Sequence, residues 1–301
     1  MKNNRDLRAF SLIEISIVVL IIGILVAGVT QSTRLLSQAR ISTAKTLTQS
    51  SPVSSVKNLV LWIESTSDAS FDSTETDDAL TVTNWYDINP QASLKNSFVA
   101  TTKPAYSLNA INGLPAIKFD GSSTFMTASN FSNIITGSVT VFAVVKLPAT
   151  IAAQPIIGKR PSSGSANFQF GTGTSSAGWQ FCDSACGTSN YVSTSTVSAN
   201  GSYVASAVYT GTSTAGSSTS TGVTFFQNGA IATASQTTTT SPSTSAGGSL
   251  IIGKDGPSAV FFGGYMGEVI VFDRALKKEE RQAIEGYLGK KWGITMTTAS
   301  I

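Results

Sequence analysis

The chain of 301 residues contains no histidine, only two cysteines and few charges, 12% in all. The missing histidine removes the side chain that most often moves protons near neutral pH, so any general acid–base chemistry would fall to the sparse Asp and Glu residues. It also removes the commonest metal ligand, and two thiols alone cannot complete a tetrahedral zinc set. A formal net charge of +3 is too small for the basic face that a nucleic acid requires, so no nucleic-acid partner is expected. Proline is absent before Pro52, so no proline interrupts an N-terminal helix. A nucleotide cradle is absent too. Gly248-Ser-Leu-Ile-Ile-Gly253-Lys254 has the glycine and lysine spacing of a phosphate loop, but Asp255 stands where the metal-binding hydroxyl belongs, and the apolar middle reads as a strand.

What is present starts at the N-terminus. Lys2, Arg5 and Arg8 precede Phe10-Ser11-Leu12-Ile13-Glu14, and an almost unbroken apolar run follows from Ile15 to Val29. As a helix, Leu12 to Val29 spans about 27 Å, enough for a bilayer. The basic leader keeps the N-terminus in the cytoplasm and sends the rest of the chain outside. Oxidation is favoured there, so a disulfide between Cys182 and Cys186 is expected to close a small loop at a hairpin end. Glu14 needs a partner, because burying an unpaired carboxylate in hydrocarbon is costly. Beyond Val29 the pattern turns amphipathic. Leu35, Leu36, Ala39, Ala44 and Leu47 recur at helical spacing among Arg34, Gln38, Arg40 and Lys45. The pattern predicts one helix from about Phe10 to Thr48, its second half docked on a globular domain. Gly23 and Gly28 are its soft points, each costing about 1 kcal/mol against Ala. Ser50 to Ser55, with Pro52, ends it. The plain alternative is a secretory peptide cleaved at Val26-Ala27-Gly28.

Arg8-Ala9-Phe10-Ser11-Leu12-Ile13-Glu14 resembles the type III signal of type IV pilins and pseudopilins. The resemblance implies that a prepilin peptidase cuts between Ala9 and Phe10, that Phe10 is N-methylated, and that Glu14 becomes the fifth residue of the mature chain. Gly is the family's usual residue before the cut, and Ala9 is the next smallest side chain. Residues 1–9 are then a leader, 10–50 the transmembrane and amphipathic helix, and 51–57 a linker. Losing the leader leaves a formal charge of +1. In a filament the partner of Glu14 would be the amine of a neighbouring subunit's Phe10, which would fix the register of assembly. The other reading is a Glu14 that snorkels to the interface. The partners so implied are the prepilin peptidase, other pilin subunits in a homo- or hetero-filament, and the inner membrane before assembly. The final location is an extracellular filament or the cell surface.

The roughly 245 residues that follow suffice for one large all-β domain. Leu59–Ile63, Val139–Val145, Tyr203–Tyr209, Val223–Gln227, Leu250–Ile252 and Gly267–Phe272 read as strands, with turns at Asp120-Gly121, Asn228-Gly229 and Asp255-Gly256. Asn228-Gly229 is the clearest hairpin signal. A late helix is predicted from Lys277 to Lys291, with Ile284, Tyr287, Leu288 and Trp292 on one face. Thr237 to Ser245 has no hydrophobic residue and reads as exposed loop, within a Ser/Thr/Gly-rich stretch over 188–247. Asn84-Trp85-Tyr86-Asp87, Gly113 to Gly121, Phe225-Phe226-Gln227-Asn228-Gly229, Gly267 to Leu276 and the tail from Glu280 to Gly293 are similar to the laminin-G-like, or concanavalin A-like, jelly roll. The fold class is therefore a long N-terminal helix, an all-β jelly-roll sandwich over 58–294 with a short C-terminal helix, and a tail at 295–301.

That fold hosts lectins, glycosidases and structural modules alike, so the site must decide. A glycosidase needs two carboxylates about 5–9 Å apart. Glu268 and Asp273 share one strand but point to opposite faces, so no enzyme is expected. Trp179 and Tyr191 flank the cysteine loop and are the candidate sugar contacts, whereas Trp62, Trp85 and Trp292 read as core. Calcium is the one cofactor the resemblance allows, with Asp68, Asp72, Glu75, Asp77 and Asp78 as an acidic loop that is otherwise simply solvated. The function so read is a subunit of a type IV pilus or pilus-like filament displaying a laminin-G-like domain for adhesion. The alternatives are a pseudopilin of a type II secretion system and a membrane-tethered carbohydrate-active enzyme.

Overall fold

The computed structural model describes residues 11–93, 95–128, 137–160, 168–173, 178–182, 190–193, 195–211, 222–232, 234–236, 248–256 and 258–297. The first helix, α1 (Leu12–Gln49), runs unbroken for 38 residues. Its start is set by Ser11, whose backbone N–H donates to Glu14 Oε2 at 2.8 Å. That bond satisfies one of the donors a helix N-terminus leaves open. A short 3-10 turn, Pro52–Ser55, follows.

Among the described residues seventeen strands come next, in chain order β1 (Leu59–Glu64), β2 (Asn84–Tyr86), β3 (Ser97–Thr102), β4 (Ala105–Ile111), β5 (Leu114–Asp120), β6 (Phe125–Ala128), β7 (Val139–Lys146), β8 (Gln154–Lys159), β9 (Phe168–Thr172), β10 (Trp179–Cys182), β11 (Asn190–Ser193), β12 (Ser202–Tyr209), β13 (Val223–Gln227), β14 (Ala230–Ala232), β15 (Ala234–Gln236), β16 (Leu250–Ile252) and β17 (Gly263–Phe272). They form two antiparallel sheets. The eight-stranded sheet has the order β14-β13-β12-β7-β17-β5-β4, with β1 also paired to β17, and the nine-stranded sheet has the order β15-β11-β10-β9-β8-β16-β6-β3-β2. The second helix, α2 (Lys278–Trp292), ends at Gly293 in the left-handed region. This is the usual helix stop, because glycine adopts that conformation without a Cβ penalty.

The eight-stranded sheet is buried on both sides. Its inner face (Val141, Ala143, Ala205, Phe225, Val269) meets the nine-stranded sheet's Trp85, Phe98, Phe170, Phe181 and Leu250 in one core. Its outer face (Ala116, Phe142, Val144, Val204, Ile270) meets a second core supplied by Ala44 of α1, Val53 and Val56 of the connector, and Ile284, Leu288 and Trp292 of α2. The molecule is thus three layers deep: helices, then the eight-stranded sheet, then the nine-stranded sheet. Residues 51–57 join the helix to the sandwich without swinging free, since Val53 is fully buried. The docked stripe of α1 begins later than its sequence pattern suggests. Ala44 and Thr48 are buried, while Leu35 and Leu36 stay exposed.

The predicted hairpin at Asn228-Gly229 forms, with Gln227 opposite Ala230 and both turn residues at positive φ, 51° and 80°. That is the pair of backbone conformations a type I′ turn demands. The late helix is displaced by one residue from its predicted ends, and Ile284, Tyr287, Leu288 and Trp292 are all buried as expected.

Candidate functional site

The sequence points first to the N-terminal half of α1. From Leu12 to Val29 all of the large apolar side chains of this helix are exposed. Glu14 lies in the first turn of the helix. The helix is long and apolar enough to cross a membrane or to serve as a signal sequence. Ala9 and Phe10, the expected processing pair, lie outside the described residues.

Where α1 meets the sandwich, a charged cluster is sealed beneath α2. Glu64 of β1 and Glu268 of β17 stand directly opposite each other in the strand pair. A bulge between Met266 and Glu268 accompanies Gly267, whose missing Cβ leaves room for the Trp292 ring. Two carboxylates facing each other repel. Lys291 resolves this by placing Nζ 2.9 Å from Glu64 Oε2 and 2.8 Å from Glu268 Oε2, all three side chains being fully buried. Glu268 also accepts from Trp62 Nε1 at 2.8 Å, Tyr287 Oη at 2.8 Å and Trp292 Nε1 at 2.9 Å. Thr66 donates to Glu64 Oε2 through both its backbone N–H and its hydroxyl, each at 2.7 Å. Burial alone would lower the pKa of Lys291, but the two carboxylates outweigh it and hold that pKa above the usual lysine value. The Tyr287 phenol is pushed well up by burial and then by Glu268 and Glu64. Thr48 Oγ1 lies 3.3 Å from Tyr287 Oη, so α1 itself touches the cluster.

Glu268, weighed as a glycosidase acid from its strand, is therefore committed inside the molecule. A second buried pair, Arg281 with Glu285, is held by Ser206 Oγ donating to Glu285 Oε1 at 2.6 Å and by the Arg281 guanidinium stacked over Phe226.

Trp179 is not a surface ring. It is fully buried, stacked on Phe170, edge-on to Tyr203, and donates from Nε1 to Gln227 Oε1 at 2.8 Å. The expectation of a sugar contact at Trp179 is corrected: β10 turns this ring into the core between the sheets. Tyr191 lies in β11, its backbone opposite Phe181 and Gln236. Its side chain lies outside the described set. Cys182 ends β10 and is buried. Cys186, its expected disulfide partner, lies outside the described residues, as does the stretch from Thr237 to Ser245.

Four of the five acids of the 67–78 loop are spent on local structure. Asp68 pairs with Lys45 of α1 at 2.5 Å, Asp72 accepts from Tyr86 Oη, Glu75 caps the Thr83 N–H, and Asp78 caps the Leu108 N–H. Among the described residues no group of three acidic or thiol side chains is placed to share a metal ion.

Sequence reasoning missed Lys291 and Glu64, and also a partly exposed group on the far side of the sandwich, Phe125, Lys254 and Phe261. No residue pattern marks the latter, because Phe125 comes from β6 while Lys254 and Phe261 come from the turn after β16, far along the chain.

Residues 119–280 match the model of the concanavalin A-like lectin/glucanases superfamily, and the chain belongs to that superfamily. No curated protein is significantly similar to the chain over its sequence. Among solved structures it is similar to the Trypanosoma rangeli sialidase, at 12% identity and a TM-score of 0.47, covering 80% of this chain and 34% of the sialidase. It is also similar to domain 4 of AbnA, an extracellular arabinanase from Geobacillus stearothermophilus solved with arabinotriose, at 13% identity and a TM-score of 0.46, covering 76% of this chain and 97% of that domain. A third is the binding domain of Paraclostridial Mosquitocidal Protein 1, at 10% identity and a TM-score of 0.49, covering 76% of this chain and 52% of that one. The chain thus spans about a third of the length of the sialidase.

Proposed function

We propose that this protein is a subunit of a type IV pilus or pilus-like filament that carries a saccharide-binding sandwich on its surface. The observation that carries the reading is the division of α1. Its first half is an apolar rod whose large side chains are exposed, while its last two turns are packed onto the sandwich. A signal sequence cut near Ala27 would keep the docked half but give the unbroken 38-residue helix no role. A rod whose apolar face is completed by neighbouring copies has use for both halves. The pilin-like sequence around Phe10 and the acid at Glu14 supply the expected processing and register.

The sandwich is read as a binding module, not a hydrolase. The two carboxylates that share Lys291 have no access to a polysaccharide, and membership of a superfamily of lectins and glucanases makes a saccharide the natural ligand class. Intact-mass and N-terminal analysis of sheared cell-surface material tests the filament reading. The expected result is a chain that begins at N-methylated Phe10. A chain beginning at Met1, or cut near Ala27, would overturn it. Changing Glu14→Ala should leave the cut intact and abolish most filaments in the sheared fraction, and normal filament yield from that variant would remove the register role of Glu14.

A further inference from the structure

Among the described residues no helix lies over the outer face of the nine-stranded sheet, and at one place two turns bring aromatic rings and a cation together there. The first turn follows β5. The Asp120 carboxylate accepts from the backbone N–H groups of Ser122, Ser123 and Thr124 at 2.9, 2.8 and 2.9 Å and from the Ser123 and Thr124 hydroxyls. This fixes the entry to β6 and presents Phe125. Met126 and Ala128 of β6 point into the core, so Phe125 and Thr127 lie on the outer face. The second turn follows β16. Gly253 has φ 82°, and a Cβ there would meet the Phe119 ring at 2.6 Å, so this position requires glycine. The turn swings Lys254 into a β-bridge with Phe261.

The result is a lysine ammonium 4.9 Å from the centre of the Phe125 ring and 5.5 Å from that of Phe261, the two rings being 6.1 Å apart. All three side chains are partly exposed. The neighbouring charges cancel: Arg160 holds Asp255 through two bonds of 2.7 and 2.9 Å, and Ser258 caps the same carboxylate. Lys254 makes no ion pair among the described residues. Thr102 faces Phe125 across the β3–β6 pair, and Lys103 after it is exposed.

We propose that Phe125, Lys254 and Phe261 form a binding site for a saccharide that carries a carboxylate or sulfate group. The apolar C–H face of a sugar ring lies against an aromatic ring, and the anionic substituent pairs with the ammonium held between the rings. A neutral sugar would gain only the stacking. The site lies on the layer farthest from α1, so in the filament of the preceding section it faces outward. The inference deepens the saccharide reading and rests on it.

The test is calorimetric titration of the full chain in detergent micelles with three probes: trigalacturonate, a sulfated carrageenan trisaccharide and neutral galactotriose. At least one acidic probe should bind about tenfold or more tightly than galactotriose. Lys254→Met should lose about tenfold in affinity for the acidic probe, with Lys254→Arg restoring most of it, and Phe125→Ala should weaken every probe that binds. Which acidic probe binds distinguishes carboxylate from sulfate. Equal affinity for acidic and neutral probes, or an unchanged Lys254→Met, overturns the site while leaving the saccharide reading in place. Binding of no saccharide overturns both. Should Phe125→Ala unfold in a thermal scan, the Lys254→Met and Lys254→Arg pair decides alone.

Discussion

The two sheets are made of similar strands but meet opposite surroundings on their outer faces. Phe142, Val144 and Ile270 on the eight-stranded sheet are fully buried under α1, α2 and the connector. The corresponding face of the nine-stranded sheet carries Val99, which is 48% exposed, and partly exposed Phe125, Thr127 and Ile251. One face is therefore a joint and the other a display surface. The joint explains why a charged cluster is retained inside the molecule. Glu64, Glu268 and Lys291 tie β1, β17 and α2 into one unit at the place where the end of α1 rests.

The largest expected effect comes from breaking that cluster on one side. Lys291→Met leaves two facing carboxylates buried without a counter-charge and should cost about 3–5 kcal/mol in a urea unfolding series on the detergent-solubilised chain. Replacing all three groups at once, with Glu64→Gln and Glu268→Gln added, should recover much of that loss, because the penalty lies in the stranded charge and not in the absence of the pair. A single Lys291→Met variant as stable as the native chain would mean that the two glutamates are not both ionised there.

The contrast between the faces is sharpened by a matched pair of truncations. Phe142→Ala opens a cavity in the helix-side core, where the ring lies edge-on to Phe272, and should cost about 3–5 kcal/mol. Val99→Ala on the display face should stay within about 0.5 kcal/mol. Comparable losses at the two sites would show that the nine-stranded sheet's outer face is also covered, which would break the comparison on which both proposals depend.

How far the sequence revealed these two faces varied with the range of the forces involved. The run Val139–Val145 reads as a buried strand because β7 is covered on both sides, so every residue is apolar and not merely alternate ones. Asn228-Gly229 reads as a hairpin because its turn chemistry is local, and the buried face of α2 because its period is local. Trp179 misled for the opposite reason. The residues before it, Ser175 to Gly178, are small, but its burial is decided by Tyr203 and Gln227, brought to it by the sheet packing. Lys291 sits in the last turn of a helix, where a lysine ordinarily complements the helix dipole and faces water. Its distant partners Glu268 and Glu64, the latter 227 residues earlier, give it another role. The docked stripe of α1 was misjudged for a similar reason. Leu35 and Leu36 fit the helical period as well as Ala44 does, but the sandwich does not reach them.

The smallest effect divides the joint itself into rim and interior, through two glutamates five positions apart on α2. Glu280 lies at the rim, and its pKa is held down to about 2, first by hydrogen bonds from Arg274. A carboxyl depressed on folding contributes stability above its ordinary value of 4.5, and that stability is lost as the pH falls toward 2. Because the pair is partly exposed, the loss should be under about 1 kcal/mol. Glu285 lies inside, and burial raises its pKa against the opposing pull of Ser206 and Arg281. Its sign is reversed: the folded state takes up the proton first, so folding gains as the pH falls from the raised value toward 4.5. Melting temperatures measured across pH should therefore separate the two. Glu280→Gln should flatten the acid limb below 4.5, whereas Glu285→Gln should remove a rise in stability just above it. The slopes carry the test, since the absolute level of Glu285→Gln also reflects a weakened bond to Arg281. Slopes of the same sign would place both carboxyls in the same environment, and α2 would then have no sealed side.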